Sequence, residues 1–342
     1  MCIRDRADRA EEAPLESPRG RGAQGWRLFE PSHGGDWIFF GLYALVIGSL
    51  GFLNTWDMPI YLGLMLLAYG AGVYSRRRKL DWPFLRQLLL LGATWLAGSI
   101  LLYLFFYLSF SSQAGGILPY VFPPTRLPQY LVMFGPFVFV LAWFLILFYR
   151  FQSGPEAGRG RWKPVLRLWG WVLLAVLAVY LVVLALPPAA IALSQMTAGE
   201  PVSFAEIEAL FGGLNLGAVF GAALLSRLLN PWLLLLGTSF LALTIAGMLR
   251  RTARTPDEQA AAGACSAGSA RFALILIFVG IALTLSVELF YLRDNFGARM
   301  NTVFKFYYQG WVMLACASAF AVWWLLNPGG QVLGALGRRL FS

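Results

Sequence analysis

Histidine occurs once in the 342 residues, as His33, and cysteine three times. One histidine excludes a His-rich metal centre, and a Ser-His-Asp triad would have to recruit it from a polar, loop-like stretch. Cys2, Cys265 and Cys316 show neither metal-ligand spacing nor a disulfide framework. Charge is scarce as well, at 13% of residues, against about 25% in an average soluble protein. Acidic residues are the scarcer kind, 17 against 27 Lys and Arg, for a net charge of +10. That surplus does not point to a nucleic-acid partner. The basic residues sit in short clusters between apolar runs, the pattern that orients a chain in a membrane.

What the chain has in excess is apolar sequence: 58% of residues, with a mean hydropathy of +0.65. The runs approach the ~20 residues that a helix needs to cross a bilayer. They lack the ten-residue alternation of an outer-membrane barrel. The expected fold is therefore all-α, a polytopic transmembrane helical bundle with about 8–9 membrane segments, at 37–54, 58–75, 84–108, 130–150, 164–186, 204–229, 231–249, 271–290 and 303–326. Residues 1–35 are polar, rich in Arg, Glu, Pro and Gly, and expected to be disordered. Their opening, "MCIRDR", resembles translated sequencing adapter. Residues 36–328 form the expected membrane domain, with a flexible cytoplasmic linker at 251–270 and a short tail at 329–342.

"SRRRK" at 75–79, residues 150–163 and "RRTAR" at 250–254 are basic; "NTWD" at 54–57, the Pro-rich 109–129 and the acid-bearing 187–208 are not. The positive-inside rule puts the first group in the cytoplasm and the second outside a multi-pass cell-membrane protein. All basic loops fall on one side only if 204–229 does not cross fully, so the expectation is eight crossings plus one embedded irregular segment. Within that segment Gly213, Gly217 and Gly221 stand at i, i+4 and i+8, a spacing that lets helices approach closely in lipid.

The densest polar stretch is "ELFYLRDNFGARMNTVFKFYYQGW" at 288–311. Glu288 lies near the outer end of one helix, Arg293, Asp294 and Arg299 in the turn, and Asn301 and Thr302 where they can cap the next helix. Asn301, Lys305, Tyr308 and Gln309 recur at i, i+4, i+7 and i+8, on one helix face. A charge at the bilayer centre costs ~2.5–3.5 kcal/mol, so such a stripe should face the bundle interior or a wet cavity. The cations beside a helix N-terminus make a candidate anion site. The bland alternative is that Glu288 and Asp294 neutralise the arginines while Lys305 snorkels to the headgroups; an embedded Lys305 would instead couple to Glu288 or Asp294. A second polar break on the same face, "NTWDMPIY" at 54–61, carries Asp57. It either caps the following helix or supplies a carboxylate opposing the basic turn, a ligand for a hydroxyl or a divalent metal ion.

These two motifs resemble the C-terminal half of the YYY family of bacterial and archaeal integral membrane proteins, a family of unknown function. The resemblance covers about residues 37–326 and implies a missing N-terminal half of the same protein as partner. The family-like "RLPQYLVMFGPFVF" at 126–139 carries Phe134 where relatives often have histidine, which weakens a proton-transfer role there. The family is similar in layout to the large membrane glycosyltransferases that use a polyprenyl-phosphate sugar at the external face. That likeness implies a carboxylate base, with Asp57, Glu288 and Asp294 as catalytic candidates. It also implies a donor-binding group of Arg293, Arg299, Asn301, Lys305, Tyr308 and Gln309. A lipid or solute transporter or flippase, and a non-catalytic membrane scaffold subunit, remain the alternatives.

Overall fold

The computed structural model describes residues 35–77, 79–111, 116–152, 162–197, 215–249, 264–293 and 299–326, with Ala205, Glu208 and Gly213. In chain order the helices are α1 (Gly35–Leu53), α2 (Asp57–Arg77), α3 (Trp82–Leu102), α4 (Leu104–Ser109), α5 (Leu127–Gln152), α6 (Lys163–Thr197), α7 (Leu216–Leu229), α8 (Trp232–Leu249), α9 (Ala264–Ser286) and α10 (Met300–Leu326). Among the described residues seven helices are long and apolar enough to cross a membrane; Ile38–Leu53 of α1 and all of α7 are shorter apolar helices. The fold is the expected all-α polytopic bundle.

Of the segment expected to be irregular, 204–229, the structure describes α7 with Ala205, Glu208, Gly213 and Asn215, and the rest lies outside the described residues. With 14 residues, α7 spans about 21 Å at 1.5 Å per residue, short of a ~30 Å hydrocarbon core. Its C-terminal Arg227 bonds the carbonyl of Glu288 beyond the end of α9. Among the described residues no helix packs closely on the Gly213/Gly217/Gly221 stripe. Gly213 lies outside the helix at φ +77°, and a Cβ on Gly221 would meet nothing within 4 Å.

Close helix approach falls elsewhere. α9 and α10 cross at Gly280 and Gly310, where a Cβ on Gly310 would lie 3.1 Å from Thr284 Cγ2 and 3.2 Å from the Gly280 oxygen. The main core gathers α5, α8, α9 and α10, with Phe134, Phe144, Ile277 and Leu314 at its centre. A smaller core of Ile47, Met58, Leu91 and Trp95 joins α1, α2 and α3.

Three expected boundaries shift. The 84–108 run breaks at Tyr103, which separates α3 from α4. α6 continues through Pro187 and Pro188 to Thr197. The 271–290 run leaves the helix at Ser286, and its end becomes strand β2 (Phe290–Leu292), paired antiparallel with β1 (Ile117–Pro119) in the register Ile117↔Leu292 and Pro119↔Phe290. The pairing extends to Arg293, whose N–H donates to the Gly116 carbonyl at 2.9 Å; Gly116 itself holds φ +110°, a conformation that favours glycine. This clip ties the Pro-rich loop to the α9–α10 turn. It sits at the end of the bundle where α2, α5 and α10 begin.

Candidate functional site

Glu288 follows a turn in which its N–H donates to the Leu285 carbonyl. Its carboxylate is 7% exposed as a residue, and it does not stand alone. It accepts from the Thr125 N–H at 2.9 Å, the Thr125 hydroxyl at 2.5 Å and Arg299 Nη1 at 2.9 Å. Arg299 also donates through Nη2 to Thr125 Oγ1 at 2.9 Å and lies over the Tyr120 ring, 3.9 Å from its centroid. Burial pushes the Tyr120 hydroxyl above the ordinary tyrosine range, against the pull of Arg299, so the ring stays neutral near pH 7.

From α7, Arg227 donates to the carbonyls of Tyr120 at 2.5 Å and Glu288 at 2.7 Å. Its guanidinium stacks 4.0 Å from the Tyr180 ring centroid, and the Tyr180 hydroxyl donates to the same Tyr120 carbonyl at 3.1 Å. Tyr180 of α6, Arg227 of α7 and loop residues beside α5, α9 and α10 are thus tied together around Glu288. Beneath it lies a cavity of about 30 Å³ bordered by Tyr180, Arg227 and Glu288, room for about one water molecule and far too small for a substrate. Buried and fully paired, this network is a clamp.

The clamp accounts for two site candidates in a way the spacing did not suggest. Glu288 pairs with Arg299, not with Lys305 as an embedded lysine was expected to do. Thr302 does not cap α10 either: the helix starts at Met300, and the buried Thr302 hydroxyl accepts from the Leu292 N–H at 2.9 Å, joining β2 to α10. Asn301 accordingly falls in the first helical turn, half-buried. Asp294 lies outside the described residues. Arg293 is exposed.

Lys305 belongs to a second cluster. α2 starts at Asp57, whose N–H donates to the Asn54 carbonyl; its carboxylate accepts from Asn54 Nδ2 at 2.9 Å rather than from a backbone N–H of its own helix. The Gln309 amide and the Lys305 ammonium both lie near enough to act on the same carboxylate. The Tyr61 hydroxyl, one turn further along α2, donates to Gln309 Oε1 at 2.6 Å. Asn54, Asp57, Tyr61, Lys305 and Gln309 therefore form a polar seam between α2 and α10. Tyr308 is 58% exposed and stands at the rim, near Tyr61.

Between the clusters the Tyr307 hydroxyl is buried and approaches Thr125 without making a hydrogen bond of good geometry. Its ring packs edge-on against Phe134, which stacks on Tyr130 with centroids 4.7 Å apart. Phe134, fully buried, is a packing residue here. Among the described residues no three His, Cys, Asp or Glu side chains come together to hold a metal ion. The seam offers Asp57 as its one described carboxylate, so the candidate divalent ion lacks a ligand set there.

Spacing singled out neither Arg227 nor Thr125, Tyr120 and Tyr180. Arg227 did carry a signal. It is the one charge in "LGAVFGAALLSRLL", and a lone arginine in an apolar helix is expensive unless it has partners.

The sequence profile of a family described as uncharacterized membrane protein, DUF2298, matches residues 19–314. The chain belongs to the DUF2298 family. No curated protein and no solved structure matches it. The DUF2298 match runs through both polar clusters, from "NTWD" to the first half of α10, and ascribes no activity to them.

Proposed function

We propose that this DUF2298 chain, read as the YYY type, is a glycosyltransferase-like membrane protein that takes a sugar from a polyprenyl-phosphate donor at the external face. The observation that carries the reading is the state of Asp57. Its carboxylate is half-buried at a helix start, caps nothing, and faces an ammonium and an amide rather than an ion-pair partner in contact. A carboxylate so held can accept a proton from an acceptor hydroxyl. Lys305 supplies positive charge where a lipid phosphate would leave. The acceptor oxygen would bond to the sugar's anomeric carbon as the bond from that carbon to the phosphate oxygen breaks, the proton passing to Asp57 and polyprenyl phosphate departing. Arg299 and Glu288 act indirectly, holding the α10 start in place. In this reading the helix ends carrying Arg77, Arg150 and Lys163 face the cytoplasm.

A transporter would be expected to show paired polar breaks related by internal symmetry; both polar clusters described here lie at one end of the bundle. Sugar transfer in proteoliposomes, with the donor lipid in the bilayer and an acceptor outside, tests the proposal. Asp57→Asn should retain donor binding and lose transfer. Equal transfer by Asp57→Asn and the unaltered protein would reject the assigned base.

A further inference from the structure

The side chain of Gln309 stands between two oxygen-bearing groups of the α2–α10 seam, and an amide has a direction. Its oxygen accepts from the Tyr61 hydroxyl at 2.6 Å. An amide carries its acceptor on one branch and its two donor hydrogens on the other, so the branch left for the Asp57 carboxylate, on which Gln309 acts, is the NH2. Gln309 is 6% exposed, and little water reaches it to replace either partner.

Reversing the amide would turn its oxygen on an ionised carboxylate, acceptor against acceptor, but would give a protonated Asp57 an acceptor for its O–H. The two orientations therefore favour opposite protonation states. Tyr61 biases the choice, because its hydroxyl can donate to the Gln309 oxygen only while the NH2 faces Asp57. Asn54 Nδ2 already donates to Asp57 Oδ1 at 2.9 Å, and a second donor from Gln309 further favours the charged form. Lys305 of α10 and Tyr61 of α2 are the ionisable groups beside this carboxylate. Tyr308 and Cys316 of α10 lie near Tyr61, and Tyr107 of α4 reaches the neighbouring Met58. Among the described residues of α1, α3 and α9, which also pack on α2, none acts on Asp57.

We propose that Tyr61 is a positioning residue for Asp57: by holding Gln309 Oε1 it aims the amide NH2 at the carboxylate and keeps Asp57 ionised and able to take a proton. The functional import rests on Asp57 as the base of the proposed transfer. The coupling itself is a property of the chain alone.

Infrared titration of the full chain in proteoliposomes, with the Asp57 carboxyl band isolated as the difference from Asp57→Asn, reads the coupling without donor lipid or acceptor. Tyr61→Phe should raise the pH at which Asp57 is half-protonated by about one unit, the order of a hydrogen bond to a charged group. Gln309→Leu, which removes the donor itself, should raise it at least as far, and Tyr61→Phe added to Gln309→Leu should raise it no further. Tyr107→Phe, which removes the hydroxyl beside Met58 and leaves Gln309 untouched, should not move it. An unchanged midpoint in Tyr61→Phe, or the same shift from Tyr61→Phe with and without Gln309→Leu, would overturn the inference. If Tyr61→Phe fails to fold, Gln309→Leu still decides, since an unmoved midpoint there removes the donor on which the inference depends. A chain that transfers no sugar would instead reject the proposed reaction, and the titration would decide this coupling all the same.

Discussion

Removing Arg299 tests the clamp where it is most exposed to failure. The side chains of the Arg299–Glu288 pair are 19% and 9% accessible, so neither ion can be solvated freely if its partner goes. Arg299→Met leaves Glu288 with the two Thr125 donors and no contacting cation at its carboxylate. Breaking one partner of a buried pair typically costs about 3–5 kcal/mol, whereas replacing both by neutral groups is often far milder. Stacking of Arg299 on Tyr120 adds about 0.5–2 kcal/mol that neither replacement restores. Arg299→Met alone should therefore lose about 3–5 kcal/mol, and Arg299→Met with Glu288→Gln at least ~2 kcal/mol less. Reversible unfolding in detergent, followed by the fluorescence of the many tryptophans, gives both values along with Glu288→Gln for a complete cycle. Additive losses would refute the clamp as a coupled unit.

Arg227→Gln should cost about 1–3 kcal/mol by stripping donors from the carbonyls of Tyr120 and Glu288, and amide exchange at Tyr120, whose N–H bonds the Leu289 carbonyl, should accelerate. Gly310→Val should destabilise by about 1–3 kcal/mol through overpacking at the α9–α10 crossing, while Gly221→Ala, with open space around its Cβ, should be neutral or slightly stabilising; thermal shifts of the purified proteins compare the two. Single cysteines in a cysteine-free background should separate the faces: Arg77→Cys, Gly158→Cys and Arg254→Cys shielded from an impermeant thiol reagent in intact cells, Gly297→Cys labelled. Uniform labelling of all four would undo the shared-face topology.

The bundle was legible because hydrocarbon imposes length and apolarity on every crossing, and those can be counted along the chain. α7 is a shorter apolar helix, while "RRTAR", whose sidedness argued against a full crossing of 204–229, lies outside the described residues. The β1–β2 clip was hidden, since three residues on each side leave no periodicity in an already apolar chain. The i, i+4, i+8 reading of α10 found Lys305 and Gln309, and "NTWD" found Asp57, yet their joining as one seam depends on how α2 packs beside α10. Glu288 had two readings, neutralising the arginines of the turn or coupling to Lys305, and it pairs with Arg299. Its real ligand set comes from Thr125, 163 residues earlier, and from Arg299, 11 residues later across the turn, and long-range packing of that kind leaves no trace in local spacing. Glycine spacing did not point to the crossing that forms: Gly280 and Gly310 meet because two helices cross there.

The central claim is the proposal that Lys305 in the α2–α10 seam holds a lipid-linked phosphate beside the Asp57 base. Its most direct test is the affinity of the protein in proteoliposomes for a polyprenyl-phosphate sugar, set against the same polyprenol lacking phosphate, for the unaltered chain and for Lys305→Ala at matched folded amounts. Loss of a charge-assisted contact should weaken the phosphate-bearing lipid by about tenfold or more and leave the polyprenol unchanged. Equal affinity of the unaltered chain and Lys305→Ala for the phosphate-bearing lipid would contradict it.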